Sequence, residues 1–175
     1  PELCVAAGAE AGIAALEQRL AADGVGHRRL HTSHAFHSAL MDAAVAPFAA
    51  LVERTARQAP HTPFVSNRTG RWITAEEATD ARYWALQMRE AVRFADGLGT
   101  LFADGEWAVV EVGPGQSLAT FARQHPLGRA QRVIATLPGP QDATPADAAL
   151  LGALGRLWVA GAPVDWPALW GEERR

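Results

Sequence analysis

The stretch AVVEVGPG, residues 108–115, decides the fold class of this chain. Its first five residues are apolar except for Glu111, and the glycines and proline that follow them predict a tight turn. An apolar run of this length is typical of a parallel strand that is buried on both faces. A helix is predicted to begin near Gln116, and a final strand is predicted over residues 132–137. The sequence therefore predicts parallel strands connected through a helix.

Strand and helix patterns alternate over most of the chain, which favours an α/β fold with a parallel sheet. Further helices are predicted over residues 39–56, 83–89, 94–103 and 146–160, and a short hairpin is predicted over residues 64–74. Only one or two central parallel strands are predicted after residue 57, and a stable doubly wound sheet usually needs more. The fold is therefore predicted to be incomplete within these 175 residues.

The first 33 residues carry their own strand and helix patterns. Apolar runs at residues 3–7 and 27–32 flank a segment in which Ile13, Leu16 and Leu20 recur at helical spacing, with Gly24 as its predicted stop. These patterns predict a β-α-β unit. Alone it is too small to bury its faces, so it is expected to pack on something else.

The composition excludes several classes of protein. All 16 positive side chains are arginine and the net charge is −3, which argues against nucleic-acid binding. Cys4 is the only cysteine, so the chain has neither an internal disulfide nor a thiol cluster for zinc. No apolar run is long enough to span a membrane, and a cytoplasmic setting is the expectation.

The motif SHAFHSALM, residues 33–41, carries the chemistry that the sequence suggests. It lies between a predicted strand and a predicted helix, where side chains reach a cleft. His37 is a candidate general base because imidazole titrates near neutral pH; the alternative is a buried histidine satisfied by the backbone. The chain contains no Gly-x-Ser-x-Gly motif and no convincing nucleophile. The other histidines lack metal-ligand spacing, so no metal site is predicted.

Several motifs, in order along nearly the whole chain, resemble the acyltransferase domains of modular type I polyketide synthases. They are HAFHSALM at 34–41, FVSNRTG at 64–70, AVRFADG at 91–97, EVGPG at 111–115, LGRLW at 154–158 and PVDW at 163–166. The resemblance implies three segments. Residues 1–33 would be the second half of a ferredoxin-like small subdomain, residues 34–137 the C-terminal part of an α/β-hydrolase-like large subdomain, and residues 138–175 a linker that packs back on the domain.

The resemblance also implies an activity. Such a domain transfers an extender unit from coenzyme A to its own serine and then to the phosphopantetheine thiol of an acyl carrier protein, without a tightly bound cofactor. The serine lies in a Gly-His-Ser-x-Gly elbow upstream of the segment that matches Pro1. The implied partners are therefore this missing N-terminal half, the carrier protein and an adjoining ketosynthase domain, with no nucleic acid and no membrane. This chain alone is expected to be inactive.

The resemblance assigns roles to individual residues. His37 matches the general base, and His34-Ala35-Phe36 match positions that track extender-unit choice, the sequence His-Ala-Phe-His accompanying malonyl units. The Phe36 ring would fill the space of an α-methyl group; the alternative is ordinary core filling. A backbone carbonyl orients the base in this family, and spacing from Val92 assigns it to Gln87.

Asn67 has two interpretations, since it either helps to fix the histidine loop or is simply a turn residue that tolerates a left-handed conformation. A rival function also stands beside acyl transfer. In that interpretation the chain is a non-catalytic structural or docking segment that completes another polypeptide.

Overall fold

The computed structural model describes residues 3–171. Residues 1–2 of the predicted segment 1–33 and residues 172–175 of the predicted segment 138–175 lie outside the described residues. The regular elements, in chain order, are α1 (Glu10–Ala22), α2 (Asp42–Glu53), α3 (Ala75–Thr79), α4 (Ala81–Arg89), α5 (Phe94–Ala103), β1 (Ala108–Pro114), α6 (Ser117–Gln124), β2 (Arg132–Leu137), α7 (Ala146–Val159) and α8 (Trp166–Trp170). Short 3-10 turns cover Ala39–Met41 and Gly128–Ala130.

The described residues form two compact units, and the boundary falls after Thr100, within α5. The first unit is mainly helical. Helix α2 packs against α4, and Tyr83, Ala85 and Met41 are among its buried side chains. A minimal antiparallel hairpin closes through the bridge between Val65 and Trp72, as the sequence predicted.

The second unit is built on the parallel pair of β1 and β2, which confirms the predicted α/β class with a parallel sheet. Ala108 pairs with Arg132, and the register continues to Glu111 and Ala135. Helices α6 and α7 both pack on β2. The core of this unit consists of Ile134 together with the buried residues Phe102, Ala119, Ala122 and Ala153.

The two strands predicted within residues 1–33 are wrong. Residues 3–7 and 27–32 form no ladder, and only α1 of the predicted β-α-β unit is present. A strand exists only when a neighbour accepts its backbone hydrogen bonds, and no strand in residues 3–171 lies beside either segment. Their apolar side chains are exposed instead, as at Leu3 (62%) and Val5 (73%).

Other departures are smaller. The expectation that β1 is buried on both faces is wrong, since Val112 is 88% exposed. Helix α3 was not predicted, although the capping box between Thr74 and Glu77 marks its start. Helix α8 begins at the Asp165 cap and was also not predicted. Within residues 3–171, no helix combines the length and the apolar character that crossing a bilayer requires.

Candidate active site

His37 lies at the turn that connects the histidine motif to α2. Ser38 caps the 3-10 turn Ala39–Met41 by accepting a hydrogen bond from Leu40 N (3.3 Å), and its own hydroxyl donates to Ala35 O (2.7 Å). His37 has a φ of 62°, and it is the one non-glycine residue with a positive φ among those described. A non-glycine residue in this region costs about 1–3 kcal/mol and persists only where its surroundings fix it.

Two hydrogen bonds fix His37 to the end of α4. Its backbone N–H donates to Met88 O (2.9 Å), and its ring Nδ1 lies 2.8 Å from Glu90 O. Carbonyls in the last turn of a helix have no partner within the helix. The turn therefore supplies hydrogen-bond donors to carbonyls at the end of α4, and the same bonds hold the turn in place.

The second bond determines which ring nitrogen is available for proton transfer. A carbonyl only accepts hydrogen bonds, so Nδ1 carries the proton and donates it to Glu90 O. Nε2 is then left with a lone pair. His37 is exposed, and no residue within 3–171 forms a hydrogen bond with Nε2. The alternative of a sealed core histidine does not hold, and Nε2 is open to an incoming hydroxyl or thiol.

The carbonyl that meets His37 belongs to Glu90, which corrects the assignment to Gln87. Gln87 lies inside α4, where main-chain carbonyls point along the helix axis. Glu90 is the C-cap, with φ −85° and ψ 156°, and this extended conformation turns its carbonyl out of the helix direction. Counting residues from Val92 missed the point at which the helix ends.

Asn67 acts through its main chain. Its carbonyl accepts a hydrogen bond from Arg93 N (2.7 Å), which ties the turn at residues 66–70 to the segment that follows Glu90. It is exposed and does not adopt a left-handed conformation. Asn67 lies in a turn, but the left-handed conformation predicted for it there is wrong. Its main-chain contact with Arg93 is compatible with a part in fixing the segment that holds His37.

The remaining motif residues line the open side of the turn. The His34 and Phe36 ring centroids are 5.9 Å apart, and Phe36 is 42% exposed. Ala35 contributes its carbonyl to Ser38. Phe36 is therefore not a core residue within the described part of the chain, and its ring faces space that a ligand or another segment can occupy.

No serine within residues 3–171 forms a hydrogen bond with His37. Ser33 lies 3.0 Å from His34 Nδ1, Ser38 is committed to the backbone, and Ser66 is buried against Tyr83. Ser117 is the first residue of α6. The residues described supply an imidazole with a fixed tautomer and no serine hydroxyl bonded to it. They also contain no group of His, Cys, Asp and Glu that could hold a metal ion.

The sequence did not reveal an ion pair that lies next to His37. Arg68 Nε donates to Glu90 Oε2 (2.6 Å), and a second guanidinium nitrogen donates to Glu90 Oε1 (3.2 Å). Arg68 also lies over the Tyr83 ring, 5.3 Å from its centroid. The two partners are 22 positions apart, so no local pattern connects them.

Comparison with known proteins points to one family. A model of the acyl transferase domain family matches residues 1–156. A phenolphthiocerol/phthiocerol polyketide synthase of Mycobacterium tuberculosis (strain CDC 1551 / Oshkosh) is 39% identical over 168 residues, which is 95% of this chain and 11% of that protein. Polyketide synthase GfsA of Streptomyces halstedii is 39% identical over 169 residues, which is 96% of this chain and 2% of that protein.

Solved structures give the same result. The acyl transferase domain of ZmaA matches with a TM-score of 0.81 and 30% identity, covering 96% of this chain and 38% of that chain. The acyltransferase domain from the second module of the salinomycin polyketide synthase matches with a TM-score of 0.76 and 40% identity, covering 94% of this chain and 38% of that chain. This chain therefore spans well under half the length of the relatives it matches.

Proposed function

This chain belongs to the acyl transferase domains of polyketide synthases, and from that premise we propose that His37 is the general base of a two-step acyl transfer. The observation that carries the proposal is the hydrogen bond from His37 Nδ1 to Glu90 O, which leaves Nε2 unprotonated on an exposed residue. The nucleophile is a serine hydroxyl supplied by a segment outside the described residues.

The reaction follows from that geometry. Nε2 takes the serine proton as the serine oxygen attacks the thioester carbonyl of an acyl coenzyme A. The carbon–sulfur bond breaks, and the imidazolium returns the proton to the departing thiolate. In the second step Nε2 takes the proton of the phosphopantetheine thiol, the sulfur attacks the serine ester, and the serine oxygen leaves with that proton. No tightly bound cofactor takes part.

The end of α4 stabilises the positive charge that develops on the His37 ring. The ring becomes an imidazolium in both steps, and it lies at the C-terminus of a nine-residue helix. The partial negative charge at a helix C-terminus stabilises a cation by about 0.3–1 kcal/mol. Glu90 O keeps its hydrogen bond to Nδ1–H in both protonation states, so the ring need not reorient between the steps.

The extender unit is proposed to be malonyl. Phe36 stands next to the base in sequence with its ring beside His34, on the exposed side of the turn. A ring at this position would occupy the space that an α-methyl group needs. One methyl group is worth about 1–3 kcal/mol in a pocket, so the preference is expected to be measurable but incomplete.

The proposed partners follow from the reaction. They are the segment that carries the serine, an acyl carrier protein that supplies the phosphopantetheine thiol, and an adjoining ketosynthase domain. Because the acyl donor is a coenzyme A thioester, the reaction is proposed to take place in the cytoplasm. The chain alone, lacking the nucleophile, is proposed to be inactive.

The test is acyl transfer by the domain assembled from this chain and the segment that carries the serine. His37→Ala is expected to lower the transfer rate by about 10²–10⁴-fold, the usual contribution of a positioned base. His61→Ala removes an exposed imidazole from the loop after α2 and serves as the matched control, with unchanged transfer expected. Transfer that stays within a few-fold of the unsubstituted rate in His37→Ala would refute the role of the base.

A second candidate function rests on the absence of a nucleophile beside His37 among residues 3–171. In this alternative the chain is a structural or docking segment that completes another polypeptide and has no catalytic part. A purified complex with a chain carrying a Gly-His-Ser-x-Gly elbow discriminates the two. If His37→Ala leaves acyl transfer by that complex unchanged, the alternative is favoured.

A further inference from the structure

The position of Glu90 O depends on a residue that has left the helix. Glu90 N donates to Leu86 O (2.8 Å), so its amide is still held by α4. Its ψ of 156° is extended, and no helical hydrogen bond fixes the direction of its carbonyl. Something other than the helix must hold this carbonyl against His37.

The turn at residues 66–70 holds this segment at two points. Arg68 binds both carboxylate oxygens of Glu90, and Asn67 O accepts the backbone N–H of Arg93. Two-point pairing between a guanidinium and a carboxylate fixes orientation as well as distance. The segment 90–93 is therefore clamped at both ends by a single turn.

Arg68 is itself anchored in the core of the first unit. Its backbone N–H donates to Ser66 Oγ (3.1 Å), and Ser66 contacts the Tyr83 hydroxyl, both residues being 1% exposed. The Tyr83 ring lies under the guanidinium, and the Arg68 side chain is only 24% exposed. The hydrogen bond that Arg68 donates to Glu90 raises the pKa of Arg68 above its ordinary value, so the guanidinium stays charged.

We propose that Arg68 is a positioning residue, which holds Glu90 so that its carbonyl, and not its carboxylate, faces His37. This inference rests on the proposed function. Without Arg68, two changes are expected together: ψ of Glu90 is freed, and an unpaired carboxylate is released next to the imidazole. The other charged groups around Glu90 are Asp42, Arg82 and Arg89, which line one groove with it, and Arg89 is bound to Asp42.

The two consequences predict different signatures in acyl transfer by the assembled domain. In Arg68→Ala, kcat is expected to fall about 10-fold or more with KM within about two-fold, since misplaced catalytic groups cost about 10–100-fold. The acidic limb of the kcat profile is expected to move to higher pH, because a free carboxylate favours the imidazolium. Glu90→Gln frees the same torsion but leaves the Arg68 guanidinium unpaired, so kcat falls while the acidic limb moves to lower pH.

Two further variants control the experiment. Arg68→Lys keeps a single-point pair and is expected to restore most of kcat and return the acidic limb to its original position. Arg57→Ala removes an arginine of the same unit, with 17% of its side chain exposed, that binds Thr79 O and Thr55 O and contacts neither His37 nor Glu90. It is expected to lower thermal stability and leave the kcat profile unchanged.

Each result bears on one proposal only. If His37→Ala abolishes transfer but Arg68→Ala and Glu90→Gln leave kcat and its pH profile unchanged, the role of Arg68 is overturned. If His37→Ala stays active, the proposed function fails instead. The ¹⁵N chemical shifts of the His37 ring then test positioning without activity, with loss of the Nδ1–H signature expected in Arg68→Ala and its persistence refuting the role. If Arg68→Ala does not fold, Glu90→Gln and Arg68→Lys carry the same test.

Discussion

At the scale of the residue, the activity proposed for this chain depends on the conformation of His37. A left-handed backbone and two hydrogen bonds to the end of α4 give the ring one orientation and one tautomer. The backbone strain of about 1–3 kcal/mol is offset by those bonds, which each contribute about 1 kcal/mol. Histidine is among the residues enriched in left-handed conformations. One histidine can therefore adopt the backbone that this turn needs and also supply the proposed base.

Phe36 permits a test of extender choice at the same scale. Replacing His34-Ala35-Phe36-His37 by Tyr-Ala-Ser-His retains the base and removes the ring, which opens space for an α-methyl group. The ratio of methylmalonyl to malonyl transfer is expected to rise by about 10-fold or more in direct competition between the two thioesters. Phe36→Leu, which keeps a bulky apolar side chain, is the control and should change the ratio less. An unchanged ratio in the four-residue replacement would contradict the pocket argument.

The sequence could predict His37 but not its partner. A predicted strand–helix junction, of which only the helix is present, and the ordered motifs around it singled out His37 as a candidate base. The partner carbonyl depends on where α4 ends, and a helix boundary shifted by a residue or two moves the assignment from one carbonyl to another. The Arg68–Glu90 pair is harder still to predict from sequence, because it joins two segments that only the tertiary fold brings together.

At the scale of the element, the turn at residues 66–70 is the part that organises the site. Its centre is Ser66 Oγ, which accepts backbone hydrogen bonds from Arg68 N (3.1 Å) and Thr69 N (3.2 Å). With both lone pairs used, the Ser66 hydroxyl donates to the Tyr83 oxygen. One buried serine thus fixes the turn to α4 through Tyr83. Arg68 and Asn67 both belong to this turn.

Substitutions at the two hydroxyls should have unequal costs. Ser66→Ala leaves two backbone N–H groups and the Tyr83 hydroxyl without a partner, and the free energy of unfolding is expected to fall by about 3 kcal/mol. Tyr83→Phe leaves only the Ser66 hydroxyl unsatisfied, and a fall of about 1 kcal/mol is expected. Urea denaturation of the full chain measures both. Equal losses in the two variants would show that Ser66 does not organise the turn.

Helices were easier to predict from this sequence than strands, for a physical reason. Helix α5 follows its predicted bounds because helical hydrogen bonds are local and its glycines did not disrupt the pattern. Strand β2 was also found at its predicted bounds, because its partner β1 is present. The apolar runs at 3–7 and 27–32 carry the same kind of pattern but have no neighbouring strand, and a pattern alone does not make a ladder.

At the scale of the whole molecule, the two edges of the β1–β2 pair differ. Arg132 N donates to Trp107 O (3.1 Å), and parallel ladders alternate along the strand, so Val133 and Ala135 direct their carbonyls away from β1. Arg123 donates to Val133 O (2.9 Å) and Arg156 to Ala135 O (3.2 Å). These arginines extend from α6 and α7 and occupy the outward carbonyls, so the outer edge of β2 is closed to further pairing.

The outer edge of β1 has no such protection. By the same alternation the amides of Val109 and Glu111 face β2, whereas those of Val110 and Val112 face the other edge. No strand in residues 3–171 pairs with that edge, and Val112 is 88% exposed. An unprotected edge with exposed apolar side chains favours the addition of another strand. We therefore expect the segment that carries the nucleophile to extend the sheet from β1.

Hydrogen exchange of individual amides can locate that contact. In the full chain alone, Val110 and Val112 should exchange faster than Val109 and Glu111, whose amides are already bonded to β2. When the serine-bearing segment is co-expressed and the complex purified, protection should rise about 10-fold or more at Val110 and Val112, with a smaller change at Val109 and Glu111. The internal comparison removes any general stabilisation of the unit. If the complex forms and Val110 and Val112 exchange as before, the added segment does not pair with β1, and the closed and open edges do not determine how the sheet is completed.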